Sequence, residues 1–177
     1  LFAHGDYFVL NVSSPNTPGL RSLQDRGALD ELLGAVQSIN RELAADTAPK
    51  PLLVKIAPDL EFAQIDEILQ LALHHQLAGI VATNTTIDHS SLESAERTEG
   101  GLSGAPLRAR STEIVRFITA KTSLPVIAVG GIMDADSARE KLDAGAALVQ
   151  LYTGFIYRGP GLIGEICREI ASAVAVR

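Results

Sequence analysis

Short apolar runs rich in β-branched residues recur along this chain, and a longer stretch with apolar residues at helical spacing follows each of them. Parallel strands need a crossover, and a helix is the compact way to make one, so the alternation predicts an α/β fold of successive βα units. Residues 7–12, 52–56, 79–82, 126–129 and 147–151 are the predicted strands, continuous apolar runs of the kind expected where both faces of a parallel sheet are buried. Leu29, Leu32, Leu33, Val36 and Ile39 predict one helix; Phe62, Ile65, Ile68, Leu69 and Ala72 predict a second, with Asp59 as its cap. Ser111 or Thr112 is expected to cap a helix through Ile114, Val115 and Ile118, and Asp134 one that ends at Gly145. Leu162, Ile163, Ile166, Cys167 and Ile170 mark the last helix. Residues 88–110 break the rhythm, polar at first and then glycine-rich through Gly100-Gly101-Leu102-Ser103-Gly104, and read as an active-site loop. Five units are fewer than a closed (β/α)8 barrel requires, so the pattern leaves two architectures open: an incomplete barrel, or an open doubly wound parallel sheet.

Composition narrows the function classes. With 177 residues, 46% of them hydrophobic and 20% charged, the chain has the makings of one packed core, and no linker or low-complexity tract divides residues 1–177. The net charge of −6 comes with no cluster of basic residues, which argues against nucleic acid as a partner and for a small ligand. A single cysteine, Cys167, excludes an intrachain disulfide framework and a cysteine-based zinc site, and suits a reducing compartment. No run approaches the ~20 apolar residues of a membrane-spanning helix, and the first residues lack the features of a signal peptide. His4, His74, His75 and His89 are scattered, with no carboxylate at metal-ligand spacing, and read as surface residues; no metal is expected.

In parallel βα folds ligands meet the carboxyl ends of the strands, and the residues there are polar or glycine. Asn11, Asn16 and Asn84 offer amides that match the alternating donor and acceptor edge of a pyrimidine-type ring, although any one of them also suits a turn. Lys55 ends an apolar strand, where an unpaired ammonium is costly, so it is expected to meet an anion or polar ligand unless its head escapes to solvent. Glycines at 104, 130, 131 and 154 allow a close backbone approach, and the Gly-Gly after the fourth strand with Tyr152-Thr153-Gly154 after the fifth suits a phosphate site. Ser14 has an ordinary hydroxyl, and spacing alone does not distinguish it from Ser13; Thr17 is a nearby proton relay candidate.

The run Asn11-Val12-Ser13-Ser14-Pro15-Asn16-Thr17-Pro18-Gly19-Leu20-Arg21-Ser22-Leu23-Gln24 resembles the signature of class 2, quinone-dependent dihydroorotate dehydrogenases. So do Val54-Lys55-Ile56-Ala57-Pro58-Asp59-Leu60, Thr83-Asn84-Thr85-Thr86, Gly100-Gly101-Leu102-Ser103-Gly104, Val129-Gly130-Gly131 and Gln150-Leu151-Tyr152-Thr153, in the family's order and across nearly the whole chain. The resemblance implies the C-terminal five βα units of an FMN-binding (β/α)8 barrel that oxidises dihydroorotate to orotate in pyrimidine biosynthesis, with a quinone as final electron acceptor. It implies Ser14 as the catalytic base with Thr17 as its partner in proton release; class 1 relatives use cysteine at the base position. Asn11, Asn16, Asn84 and Thr85 then contact substrate, and Asn11, Lys55, Thr83, Gly104, Gly131, Tyr152 and Thr153 hold FMN.

The resemblance also implies what these residues lack: opening strands with further FMN and substrate contacts, and N-terminal helices that reach a quinone at the membrane. Membrane contact is expected only through those helices, peripheral on the cytoplasmic side of a bacterial inner membrane or on the mitochondrial inner membrane. Alternative readings are another FMN barrel, of the class 1 or dihydropyrimidine type, or a catalytically incomplete fragment. Alone, the 177 residues are expected to bind FMN weakly and to be inactive.

Overall fold

The computed structural model describes residues 2–45 and 47–175. Five strands, β1 (Phe8–Asn11), β2 (Leu52–Ile56), β3 (Gly79–Ala82), β4 (Val126–Val129) and β5 (Leu148–Gln150), form one parallel sheet in the order β1-β2-β3-β4-β5. Among the described residues six α-helices accompany them: α1 (Arg26–Ala44), α2 (Phe62–His74), α3 (Arg108–Lys121), α4 (Ala135–Asp143), α5 (Thr153–Arg158) and α6 (Gly161–Ala175). The strand order never reverses, and α1–α2, α2–α3, α3–α4 and α4–α6 pack in chain sequence. A doubly wound sheet reverses its order at a switch point, so that alternative falls and the arc of a (β/α)8 barrel stands.

The period of two along each strand sorts side chains between two layers. Leu52, Val54 and Ile56 of β2, Ile80 and Ala82 of β3, and Val126 and Ala128 of β4 point toward the helices and join the main core with Leu29, Leu33, Ile65, Ile68, Ile114 and Ile118. Leu53, Val81 and Val129 point the other way and form a small cluster on the concave face. Lys55 shares the parity of Leu53, which carries it to that same face. The edge strands depart from the expected burial on both faces: β1 and β5 are half exposed, with Leu148 at 60% and Tyr7, just before β1, at 53%. Among the described residues neither edge has a second neighbour.

Caps explain several boundaries and correct others. Asp134 caps α4, accepting from the Ser137 N–H at 2.8 Å, and Gly145 follows its end at φ 97°. The cap of α2 is Glu61, not Asp59: its carboxylate and the Gln64 side chain form a reciprocal capping box, while Asp59 is drawn into loop contacts described below. Nor do Ser111 and Thr112 cap α3, which starts earlier, at Arg108. Both are buried inside the helix, so the long loop ends at Leu107. In α1 the outermost apolar residue of the predicted stripe, Ile39, is exposed; Gln37 and Asn40 are buried in its place. Gln37 donates to His75 O at 2.7 Å and Asn40 to Lys50 O at 2.8 Å, which satisfies both amides.

Candidate active site

A cleft of about 220 Å³ opens at the carboxyl edge of the sheet. Lys55 of β2, residues 83–85 after β3, Ser103 and Gly104 of the long loop, residues 129–132 after β4, and Gln150, Tyr152 and Thr153 around β5 line it. Segments far apart in sequence thus converge because parallel strands all end on the same side.

Lys55 is half-buried, and among the described residues no carboxylate or hydrogen-bond acceptor meets its ammonium. Burial lowers its pKa from the ordinary lysine value. Below the depressed folded pKa the charged form is penalised relative to the unfolded chain, and the penalty is relieved as pH rises through that value. Lys55→Met is therefore expected to raise the melting temperature of the ligand-free chain at neutral pH. Thermal denaturation checks this, and a variant that loses stability would show the ammonium already has a protein partner.

The β1 loop lies at the rim. Asn84 Nδ2 donates to Asn11 Oδ1 and to Ser13 Oγ, each at 3.0 Å, and Ser13 donates to Asn11 Oδ1 at 3.2 Å. Ser13 is fully buried in this triangle, whereas Ser14 is only partly buried and its Oγ accepts from the Asn16 N–H at 3.3 Å. That contrast separates two serines that spacing left equivalent: Ser13 is structural, and Ser14 has the freer hydroxyl. Asn16 and Thr17 are exposed. Asn16 Oδ1 accepts from the Gly101 N–H at 3.2 Å, tying the β1 loop to the glycine-rich loop; among the described residues no hydrogen bond joins Ser14 to Thr17.

Arg21 and Asp59, to which no such role was assigned from sequence, hold these loops in place. Arg21 donates to Ser13 O at 3.1 Å, to Thr85 O at 2.8 Å and to Asp59 Oδ2 at 2.7 Å; Asp59 also accepts from the Thr86 hydroxyl and the Ile87 N–H. One guanidinium thereby links the ends of β1, β2 and β3. Arg21→Ala is expected to cost about 2–3 kcal/mol, since it strands two carbonyls and a partly buried carboxylate. Urea unfolding measures this directly, and a loss below about 0.5 kcal/mol would mean water replaces the clamp.

Gly101 and Gly131 are required for close approach. A Cβ on Gly101 would lie 1.9 Å from Thr85 Oγ1 and 2.8 Å from Pro15 Cγ, so only glycine lets the long loop close over the first and third loops. Gly131 combines φ 73° with a Cβ position 2.3 Å from Arg108 Cα. Gly131→Ala is expected to destabilise the chain by about 2–4 kcal/mol, which urea unfolding measures. Thr153 Oγ1 donates to Ser103 Oγ at 2.8 Å across the cleft wall. Thr153 also begins α5, a short helix not anticipated from sequence.

The histidines also differ from expectation at one place. Asp30, His74 and His75 bring ligand atoms within 4.8 Å of one another, although no carboxylate is near in sequence. His75 Nε2 lies 2.6 Å from Asp30 Oδ1, a hydrogen bond between α1 and the end of α2 remote from the cleft. The pairing lowers the pKa of Asp30.

A sequential arc of parallel βα units, with amides, one half-buried lysine and glycine turns gathered at its carboxyl edge, defines a ligand-binding protein of the (β/α)8 class. Residues 2–174 match the family model for dihydroorotate dehydrogenase, and the chain belongs to that family, in its quinone-dependent class 2 branch. It is 52% identical over 173 residues to a dihydroorotate dehydrogenase (quinone) of Christiangramia forsetii, covering 96% of this chain and 50% of the relative. The same description attaches to a Gloeobacter violaceus protein, 51% identical, with 97% of this chain and 48% of the relative covered. A crystal structure of DHODH from Eimeria tenella in complex with ferulenol superposes with a TM-score of 0.89 at 36% identity, over 97% of this chain and 50% of that one. The chain spans about half the length of the curated relatives it matches.

Proposed function

We propose that these residues form the C-terminal part of an enzyme that oxidises dihydroorotate to orotate in pyrimidine biosynthesis, with FMN bound in the carboxyl-edge cleft and a quinone as final electron acceptor. The observation that carries this is convergence. Lys55, Thr83, Gly104, Gly131, Tyr152 and Thr153, which the family resemblance assigns to one cofactor from four βα units, line a single cleft; Asn11, assigned to it as well, does not line the cleft and reaches it only through its hydrogen bond with Asn84. The cleft suits such a group: the Gly131 turn admits a phosphoryl group against backbone, and the Lys55 ammonium, without a partner among the described residues, suits the electron-rich pyrimidine end of a flavin.

A bound flavin would supply the two-electron acceptor that oxidation of the C5–C6 bond requires. The protein residues do the remaining work. Asn84 and Asn11, already hydrogen-bonded to each other, present amides that orient a ring with alternating N–H and C=O groups; Asn16 and Thr85 extend that surface. Ser14 accepts the proton from C5 as its own hydroxyl proton leaves toward the exposed Thr17; no hydrogen bond joins the two among the described residues, so a water must bridge them. The Arg21–Asp59 clamp fixes the backbone at Ser13 and so sets where Ser14 sits. Among the described residues no helix is long and apolar enough to cross a membrane. Contact with the cytoplasmic face of an inner membrane, or with the mitochondrial inner membrane, belongs in this reading to helices upstream of the barrel. The assay is orotate formation from dihydroorotate by the complete protein with a quinone present. Turnover of dihydropyrimidine but not dihydroorotate would replace this reading with the other flavin-barrel activity.

A further inference from the structure

Lys141, on α4, is the largest side chain with no solvent exposure among the described residues, and nothing in the proposed chemistry uses it. Its ammonium has three donors and no acceptor. Three oxygens receive them: Arg108 O at 2.9 Å, Thr112 Oγ1 at 2.5 Å and Ser111 Oγ. Each hydroxyl, having accepted from the ammonium, keeps its own proton for a carbonyl. Thr112 gives its proton to Arg108 O at 2.9 Å, and Ser111 gives its proton to Gly130 O at 2.9 Å in preference to Arg108 O at 3.4 Å. The peptide between Gly130 and Gly131 is trans, so its C=O and N–H point in opposite directions. Holding Gly130 O against α3 therefore turns the Gly131 N–H away from α3, on the side of the cleft that both glycines line. Among the described residues no protein acceptor takes that N–H.

We infer that Lys141 is a positioning residue for the cleft: acting through Ser111, its ammonium locks the Gly130–Gly131 peptide with the Gly131 N–H aimed at a bound phosphoryl group. The inference rests on reading the cleft as a phosphate cradle. It depends on charge, because a neutral amine carries a lone pair and lets Ser111 donate to it instead of to Gly130 O. Burial pushes Lys141 down to about 8, opposed by Glu140 and assisted by Arg108 and Arg116. The groups facing it are Arg108 and Arg116 of α3 and Glu140 of its own helix, which pairs with Arg108 at 2.6 Å; on the α6 side Arg139 pairs with Glu169. Lys55 also lines the cleft, but it is common to wild type and variants.

The test compares FMN with riboflavin, which lacks the phosphate, by flavin fluorescence as the 177-residue chain is titrated in excess. The ratio of the two affinities isolates the phosphoryl contact even when both are weak. Wild type is expected to favour FMN at about pH 7 and to lose roughly tenfold of that preference by about pH 9. Lys141→Met and Ser111→Ala are expected to show the reduced preference already at about pH 7 and a flatter pH profile. Should Lys141→Met fail to fold, as read by circular dichroism, Ser111→Ala decides alone. Folded variants that keep both the preference and its pH dependence overturn the role of Lys141 and leave the cradle standing. A wild-type chain with no preference for FMN overturns the cradle and this inference together.

Discussion

Ser14→Ala in the complete enzyme is expected to slow dihydroorotate oxidation by roughly 10²–10⁴-fold, the range for loss of a positioned proton acceptor, while FMN stays bound. The expectation rests on the contrast between neighbours. Ser13 is fully buried and hydrogen-bonded to Asn11 and Asn84, whereas Ser14 is partly exposed, its hydroxyl engaged among the described residues by the Asn16 N–H alone. Ser13→Ala should act differently. It removes a buried hydrogen-bond partner, so it should lower stability by about 1–3 kcal/mol and disturb the two asparagines. Rapid-reaction measurement of flavin reduction separates the two serines. Equal rates for Ser14→Ala and wild type would remove Ser14 from the chemistry.

The isolated 177-residue chain is expected to give no measurable orotate and to bind FMN weakly, and co-expression with the N-terminal half of a close relative is expected to restore both colour and turnover. A closed barrel has no strand edge, but here β1 and β5 each lack a neighbour among the described residues. The concave face beneath the cleft is thin, three buried side chains with Ala78 and Ile127 beside them. Beyond β5, Val149, Leu151, Phe155, Ile163 and Ile166 line an apolar groove that a neighbouring βα unit of the same barrel would cover. An isolated chain that turned over dihydroorotate would show that five units suffice for the site.

Elements buried in the sheet were legible in the sequence because burial on two faces writes itself as a continuous apolar run: β2, β3 and β4 match the predicted residues 52–56, 79–82 and 126–129. The edge strands are shorter than predicted, since an unpaired edge leaves its terminal residues outside the ladder. Caps were legible only where no distant group competes. Asp134 has none and caps α4, while Asp59 is claimed by Arg21 and Thr86, and Ser111 and Thr112 by Lys141. The same limit applies to the site. Strand-end position pointed to Lys55, Asn84 and Gly131, but the Arg21 clamp reaches residues 38 and 64 positions away and the Lys141 relay joins residues 19 to 33 apart, which leaves no local signature. The helix α5 went unseen because glycines at 154 and 159 bracket too few residues to establish a period.

A flavin held in one cleft at the carboxyl edge is visible to amide chemical-shift mapping even when it binds weakly. With FMN added to the isotopically labelled 177-residue chain, the largest shifts are expected at Lys55, Thr83, Gly104, Gly131 and Thr153, residues of four βα units and one cleft. Shifts confined to the apolar groove at Phe155 and Ile163, or spread without pattern over the surface, would contradict it.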